Sequence, residues 1–163
     1  MAFELMGLNN SLLQKYAVQQ IVECNEFTAQ YGLALTQTQA VMLASTRAAS
    51  LTANGRVEFG GGVIDKIIKE FCDSPYISMA NYTDTLNELI DMFYAYKNDA
   101  LDLITDDELI KFMHTAFDGV CQGSLDLLSG RELAQMASNL RFGKAADYQK
   151  DDELSEKDEN GEY

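Results

Sequence analysis

The chain has 163 residues, of which 47% are apolar, and it carries a formal net charge of −14. This length and apolar content suffice for one folded domain, whereas the negative charge disfavours binding to nucleic-acid phosphates or to an anionic membrane. No apolar stretch approaches the roughly 20 residues that span a bilayer, and no basic segment leads into an apolar block at the N-terminus, so we expect a cytoplasmic protein.

The first predicted helix covers residues 11–31, where apolar side chains recur at about 100° per residue. Gly32 follows as a left-handed helix terminator. The apolar stripe comprises Leu13, Tyr16, Ala17, Ile21, Cys24, Phe27 and Tyr31.

A second helix is predicted to begin after Thr36 and to run to about Ala53. Thr36 and Gln39 have the spacing of a capping box, and Asn54-Gly55 supplies a stop signal. Small residues recur every four positions along this helix and would let another helix approach closely. They are Ala40, Ala44 and Ala48.

Residues 56–62, RVEFGGG, break the helical pattern and predict at most a short extended piece. A helix is then predicted from Val63 to Cys72, with isoleucines on one face and lysines on the other, ending before Asp73-Ser74-Pro75. The next helix, residues 79–98, has the broadest apolar face and is the candidate for the central helix.

Two further capping boxes predict the starts of two more helices. Thr105 and Glu108 would open a helix to about Val120, and Ser129 and Glu132 would open one ending at residues 141–143. The predicted fold is therefore an all-α bundle of about six helices, with one domain over residues 1–143. Residues 144–163 have too few apolar side chains to fold and are predicted to form a disordered acidic tail.

The only histidine, His114, lies about 120° away from the apolar stripe of its own helix, so we expect it to face solvent. With Asp118 four residues later it forms either an ordinary surface pair or an acid–base pair. A calcium loop starting at Asp118 fails, because Val120, Gln122 and Ser129 stand where ligands are required. A lone histidine also excludes multi-histidine metal sites.

Three widely spaced cysteines fit neither a disulfide framework nor a zinc motif, so we expect reduced thiols that pack as small apolar groups. They are Cys24, Cys72 and Cys121. No metal and no cofactor is predicted from these residue types.

Three consecutive glycines precede the predicted 63–72 helix and form the first candidate ligand site. Their unhindered N–H groups at a positive helix end, together with Arg56, Lys66 and Lys69 nearby, could bind an anion such as phosphate or a nucleotide. The alternative is that the three glycines form only a hinge and a helix cap, and no phosphate-loop motif surrounds them. The glycines are Gly60, Gly61 and Gly62.

Asp84, Glu88 and Asp91 project within about 60° of one another on the central helix and form the second candidate site. This strip could dock a basic protein partner, or hold a divalent cation if another carboxylate faced it. A solvated helix face is the alternative.

Five segments resemble a family of small acidic proteins from Gram-positive anaerobic bacteria whose function is unassigned: NGRVEFGGGVI, FCDSPYI, LNELIDMFYAYKND, TDDELIKFMHTAFD and GSLDLL. The resemblance covers about residues 36–128, implies a bacterial cytosolic origin, and supplies no functional residues. By elimination, the sequence favours a non-catalytic interaction or regulatory module with a protein partner. Homo-oligomerisation through the broad apolar face of residues 79–98 stays open.

Overall fold

The structure is a computed structural model that describes residues 2–58 and 62–143, with their side chains from residue 12 onward. Its helices are α1 (Ala2–Glu23), α2 (Asn25–Thr28), α3 (Gln37–Ala53), α4 (Ile64–Phe71), α5 (Tyr82–Asp99), α6 (Asp106–Asp118) and α7 (Leu125–Leu127). A 3-10 turn, Ala29–Tyr31, follows α2, and a π-helical segment, Leu128–Leu133, joins α7 to helical residues 134–143. No strand occurs in the described ranges, so the all-α prediction is confirmed. The predicted acidic tail lies outside them.

Two capping boxes begin helices where the sequence predicts them. Thr36 accepts a hydrogen bond from the backbone N–H of Gln39 at 3.1 Å, and the Gln39 side chain accepts one from the Thr36 N–H at 2.9 Å. Thr105 and Glu108 make the same reciprocal pair at the start of α6. Each box satisfies two N–H groups that have no partner inside the helix.

The third predicted capping box is wrong. Ser124, not Ser129, caps the last helical stretch, because its Oγ accepts from the N–H of Leu127 at 3.2 Å. Ser129 lies inside the π-helical segment, where its carbonyl accepts from the Tyr96 hydroxyl at 2.7 Å. Ser124 caps the N–H of Leu127 three residues later, so the helix has already begun when the chain comes to Ser129.

The predicted 11–31 helix is interrupted after Glu23, although Gly32 ends the segment in the left-handed conformation as predicted, at φ 76°. The Asn25 side chain accepts from the N–H of Leu35 and donates to its carbonyl, both at 2.8 Å. These bonds hold the following loop against α2. Residues 56–58 have no regular structure, and Phe59, Gly60 and Gly61 lie outside the described residues.

Helix α5 lies in the middle of the bundle, as its apolar pattern predicts, and packs against α3, α4 and α6. Its inward side chains Leu86, Leu89 and Ile90 are fully buried. Ala40 and Ala44 of the small-residue line are also buried, whereas Ala48 is exposed.

One continuous hydrophobic cluster extends from Ala17 in α1 to Leu133 in the π-helical segment. The three cysteines belong to it as free thiols, which confirms their predicted packing role. The boundary of the domain at residue 143 stays a prediction. Within the described ranges, no helix is long and apolar enough to cross a membrane.

Candidate functional site

The end of α4 and the second half of α6 bring four ionisable side chains together. Ser74 and Pro75 follow α4, and the residue before a proline disfavours helical geometry, so the chain turns away after Asp73. Helix α6 lies against α4 and directs His114 at this turn.

His114 lies between three carboxylates. Its Nδ1 is 2.7 Å from Glu70 Oε2, and its Nε2 is 2.8 Å from Asp118 Oδ2 and 3.3 Å from Asp73 Oδ1. The pair with Asp118 is the one that the sequence predicts. Glu70 comes from α4 and Asp73 from the turn that follows it, 44 and 41 positions earlier in the chain.

The expectation that His114 faces solvent is wrong. Its side chain is only 16% exposed, and its ring packs on Phe71 with the two ring centroids 5.0 Å apart. Phe71 is itself fully buried, so one wall of the site is aromatic and dry. The helical periodicity of α6 indicates which of its sides faces the main core. It does not indicate that α4 covers the side on which His114 lies.

Ser74 fixes the position of Asp118. The Ser74 side chain is buried, donates to Asp118 Oδ1 at 2.6 Å and accepts from the backbone N–H of Tyr76 at 3.3 Å. Asp118 therefore has one oxygen engaged by a hydroxyl and the other free to face Nε2. A carboxylate held in this way is preorganised as a ligand.

The three atoms that face one another are suited to a metal ion. His114 Nε2, one oxygen of Asp73 and one of Asp118 all lie within 4.8 Å of one another. A divalent ion with ligands at about 2.0–2.2 Å places neighbouring ligand atoms roughly 3.0–3.5 Å apart. The separations of 2.8 and 3.3 Å from Nε2 to the two oxygens are close to this spacing.

His114 Nε2 is buried, and in the described part of the chain no hydrogen-bond partner satisfies it despite the nearby oxygens. Neither carboxylate lies where an N–H on Nε2 would point, although both are close enough. When Nδ1–H donates to Glu70, Nε2 presents its lone pair to the same space as the carboxylate oxygens. Three electron-rich atoms around one point leave a place for a cation.

Glu70 has the position of a supporting residue. Metal-binding histidines usually donate their second ring N–H to a carboxylate, which fixes the tautomer and orients the ring. The contact from Nδ1 to Glu70 has this form. The exposed fraction of the Asp73 side chain, 55%, leaves the site open to solvent on that side.

The basic residues predicted to bind an anion lie beside carboxylates. Arg56 binds Asp102, with its Nη2 2.6 Å from Oδ1, and also contacts the side chain of Asn98. Lys66 lies 3.0 Å from Asp107. The hydrogen bond to Asp102 raises the pKa of Arg56 and lowers that of Asp102, which is typical of a surface ion pair.

Gly62 is the described member of the three predicted anion-binding glycines, and it lies against a polar cluster of Glu58, Arg47 and Tyr94. Its φ is 57°, and a Cβ atom placed on it would lie 1.7 Å from Glu58 Oε1. That oxygen accepts from Arg47 Nε at 2.9 Å and from the Tyr94 hydroxyl at 2.5 Å. The glycine is required here by the left-handed backbone and the close approach of Glu58. Anion binding at this segment stays a prediction, with Gly60 and Gly61 outside the described residues.

Asp84, Glu88 and Asp91 are exposed on α5, as the sequence predicts. Asp91 accepts a hydrogen bond from Ser50 of α3 at 2.6 Å, so it also joins two helices. Among residues 12–58 and 62–143, no basic side chain pairs with Asp84 or Glu88. Cation binding by this strip stays a prediction, and among those residues the three ligand atoms close enough to hold an ion belong to the His114 cluster instead.

A protein-family model matches residues 20–146, and its description is a family of unknown function (DUF6323). The chain belongs to this family. No curated protein and no solved structure matches the chain. The match covers every residue of the His114 cluster, and the expectation of an uncharacterised family is confirmed.

The cluster could have been found only in part from the sequence of this DUF6323 member. The spacing of His114 and Asp118 is visible, and Glu70 and Asp73 share a helical spacing of three. Nothing in the sequence says that these two pairs meet, because that depends on how α4 packs against α6.

Proposed function

We propose that this protein is a divalent-cation-binding helical domain, with Asp73, His114 and Asp118 as the protein ligands. The observation that supports the proposal is the buried Nε2 of His114, unsatisfied and within 3.3 Å of two carboxylate oxygens. This proposal replaces the expectation from the sequence that the chain has no metal site.

The donor set favours a transition ion such as Zn²⁺ or Mn²⁺ over Ca²⁺. Calcium sites take six to eight oxygen ligands, whereas one imidazole nitrogen with two carboxylates suits ions of intermediate softness. Three protein ligands leave at least one coordination position for water or for a bound molecule. The ion would also offset the repulsion among the three carboxylates around His114.

Isothermal titration calorimetry with Zn²⁺ and Mn²⁺ tests the proposal directly. We expect one ion per chain, and binding of Mg²⁺ and Ca²⁺ that is much weaker. An ion at about 100 times its Kd stabilises the folded state by about 2.7 kcal/mol, so the melting temperature rises by several degrees. If neither transition ion releases or absorbs heat nor raises the melting temperature, the proposal is wrong.

Matched variants separate the site from general electrostatic attraction. Asp118→Asn removes one ligand charge and retains an oxygen for Ser74, and we expect Zn²⁺ affinity to fall by more than about 100-fold. Glu70→Gln removes only the supporting carboxylate, and a loss of about 10- to 100-fold is expected. Asp84→Asn removes the same charge from the exposed strip and leaves the affinity unchanged. Equal losses in all three variants would mean diffuse attraction to an acidic protein.

The interaction function predicted from the sequence is the second candidate. It is supported by Asp84 and Glu88, which are exposed and, in the described ranges, have no cationic partner. A basic protein surface is complementary to this strip. Co-purification from cells under native conditions, comparing the wild type with an Asp84→Asn/Glu88→Gln variant, tests it. A partner recovered equally by both would show that the strip does not bind it.

A further inference from the structure

A groove beside the His114 cluster collects lysines from both helices that form the cluster. It lies between α4 and α6 and has a volume of about 370 Å³. Its lining residues are Lys66, Lys69, Glu70, Asp107, Ile110 and Lys111. Glu70 belongs both to this groove and to the cluster, so the two are adjacent.

The groove is locally cationic in a strongly acidic protein. Residues 1–143 contain 18 acidic and 9 basic side chains, and three of those nine basic side chains line this groove. Lys66 pairs with Asp107, whereas Lys69 and Lys111 make no ion pair with any carboxylate in the described ranges. The carboxylate of Glu70 is engaged by His114. Two lysine charges are therefore available to a ligand.

Lys69 also borders a second, smaller groove, which contains Glu23, Glu26 and Asp65. These carboxylates attract its flexible side chain without a contact at ion-pair distance. The Lys69 side chain thus lies on the border between the smaller acidic groove and the groove between α4 and α6. An anion between α4 and α6 would draw it toward Lys111, since a direct charge pair is stronger than attraction over a longer distance.

Each of these lysines lies three or four residues before a proposed metal ligand. Lys111 is three residues before His114 in α6, and Lys69 lies in the last turn of α4, four residues before Asp73, which follows the helix. Residues three apart on a helix lie on the same face, with Cβ atoms about 5–6 Å apart, so Lys111 neighbours His114. An anion held by the two lysines therefore borders the position of the ion.

We propose that the ion and the lysine groove together bind the phosphate group of a small ligand. The proposal rests on the proposed function, because one phosphate oxygen takes the open coordination position of the ion. Lys69 and Lys111 donate to the remaining oxygens, and these charge-assisted hydrogen bonds balance the negative charge of the phosphate. The groove lies within the size range of small-molecule sites, so it has room for more than the phosphate itself.

Calorimetric titrations with and without Mn²⁺ test the proposal, using inorganic phosphate, adenosine monophosphate and acetate. We expect both phosphate compounds to bind measurably only when Mn²⁺ is present, and acetate to bind much more weakly. Tighter binding of the monophosphate supports a phosphate monoester as the ligand, and equal affinity of the two supports inorganic phosphate.

Lysine variants assign the binding to the groove. In Lys69→Gln/Lys111→Gln we expect phosphate affinity in the presence of Mn²⁺ to fall about tenfold or more, because two charge-assisted hydrogen bonds are lost. Mn²⁺ affinity without phosphate should stay near the wild-type value, since neither lysine is a metal ligand. Lys15→Gln removes a positive charge from α1 and is the control, with unchanged phosphate affinity.

The outcomes separate this proposal from the proposed function. Binding of Mn²⁺ without any binding of phosphate overturns the phosphate site and leaves the metal site in place. Absence of binding of both Mn²⁺ and Zn²⁺, with and without phosphate, overturns both. Phosphate binding that the lysine variant leaves unchanged, or acetate binding of equal strength, overturns the phosphate groove alone.

Discussion

Two tyrosines buried on α5 differ in a single hydrogen bond. Tyr94 donates its hydroxyl hydrogen to Glu58 at 2.5 Å, whereas the Tyr82 hydroxyl lies near the Thr28 side chain but makes no hydrogen bond of normal geometry within the part of the chain that the structure describes. Burial raises the pKa of Tyr82 to about 12. Burial also raises the pKa of Tyr94, and the hydrogen bond to Glu58 raises it further. Both phenols are therefore neutral in the folded protein at physiological pH.

We predict opposite effects of removing the two hydroxyls. Tyr82→Phe deletes a buried polar group that makes no hydrogen bond of normal geometry, so the free energy of unfolding should be unchanged or rise by up to about 1 kcal/mol. Tyr94→Phe leaves Glu58 with one donor fewer, so the free energy of unfolding should fall by about 1–3 kcal/mol. Urea unfolding of both variants measures the difference, and a larger loss for Tyr82→Phe would contradict it.

His114 shows where residue-scale prediction from the sequence ends. Its helix, its distance from the core stripe and its pairing with Asp118 all follow from spacing within α6. Its burial does not, because Phe71 and Glu70 approach it from α4. The periodicity of one helix describes a side chain relative to that helix alone, whereas a site is made by a second element.

At the scale of elements, Gly62 lets the loop before α4 lie directly against the polar cluster that joins Glu58 to Arg47 of α3 and Tyr94 of α5. We predict that Gly62→Ala lowers the free energy of unfolding by roughly 2–4 kcal/mol. Its Cβ would displace Glu58 from Arg47, and alanine is strained at the φ of 57°. Thermal or urea unfolding measures the loss.

Gly130→Ala is the matched control for this substitution. Gly130 lies in the π-helical segment with open space around its Cβ position and no positive φ, so alanine there should leave stability unchanged or raise it slightly. Comparable losses at both glycines would show that the contact with Glu58 is not the cause.

The helix starts show which local signals decide element boundaries. Thr36 and Thr105 each follow a non-helical residue and have glutamine or glutamate three positions later, so both capping boxes form. Ser129 and Glu132 have the same spacing, but Ser124 has already begun the helix. A capping pattern therefore predicts a start only when no competing cap precedes it within a turn or two.

For the whole molecule, burial of weak acids makes stability fall at alkaline pH. Burial raises the pKa of the Cys24 thiol from 9.0 to about 11 and that of Tyr82 from 10.0 to about 12. Between pH 9 and 12 the unfolded chain thus binds fewer protons than the folded one. The free energy of unfolding must decrease as pH rises through this range.

We predict that urea unfolding at a series of pH values shows this decrease beginning near pH 9. In Tyr82→Phe the slope above pH 10 should be smaller, because one of the buried acids has been removed. Stability that stays constant to pH 11 would contradict the burial of these groups. Ion-free protein should be used, so that metal hydroxide formation does not contribute.

The all-α fold is predictable because its apolar residues follow one period along nearly every helix and meet in one cluster. The interruption at Cys24 and the π-helical segment Leu128–Leu133 are not predictable from that period, and both are accompanied by hydrogen bonds to distant residues, from Asn25 to Leu35 and from Tyr96 to Ser129. The same limit applies to the candidate site. Its residues are visible one helix at a time, and their meeting is a property of the α4–α6 contact.

That contact also sets an order of events during protein synthesis. Asp73 leaves the ribosome well before His114 and Asp118, and all of α5 is made between them. An ion could be captured by the full ligand set only after residue 118 has emerged from the exit tunnel. Under the proposed function, the nascent chain would thus bind the ion late, once most of its core-forming segments are already outside the ribosome.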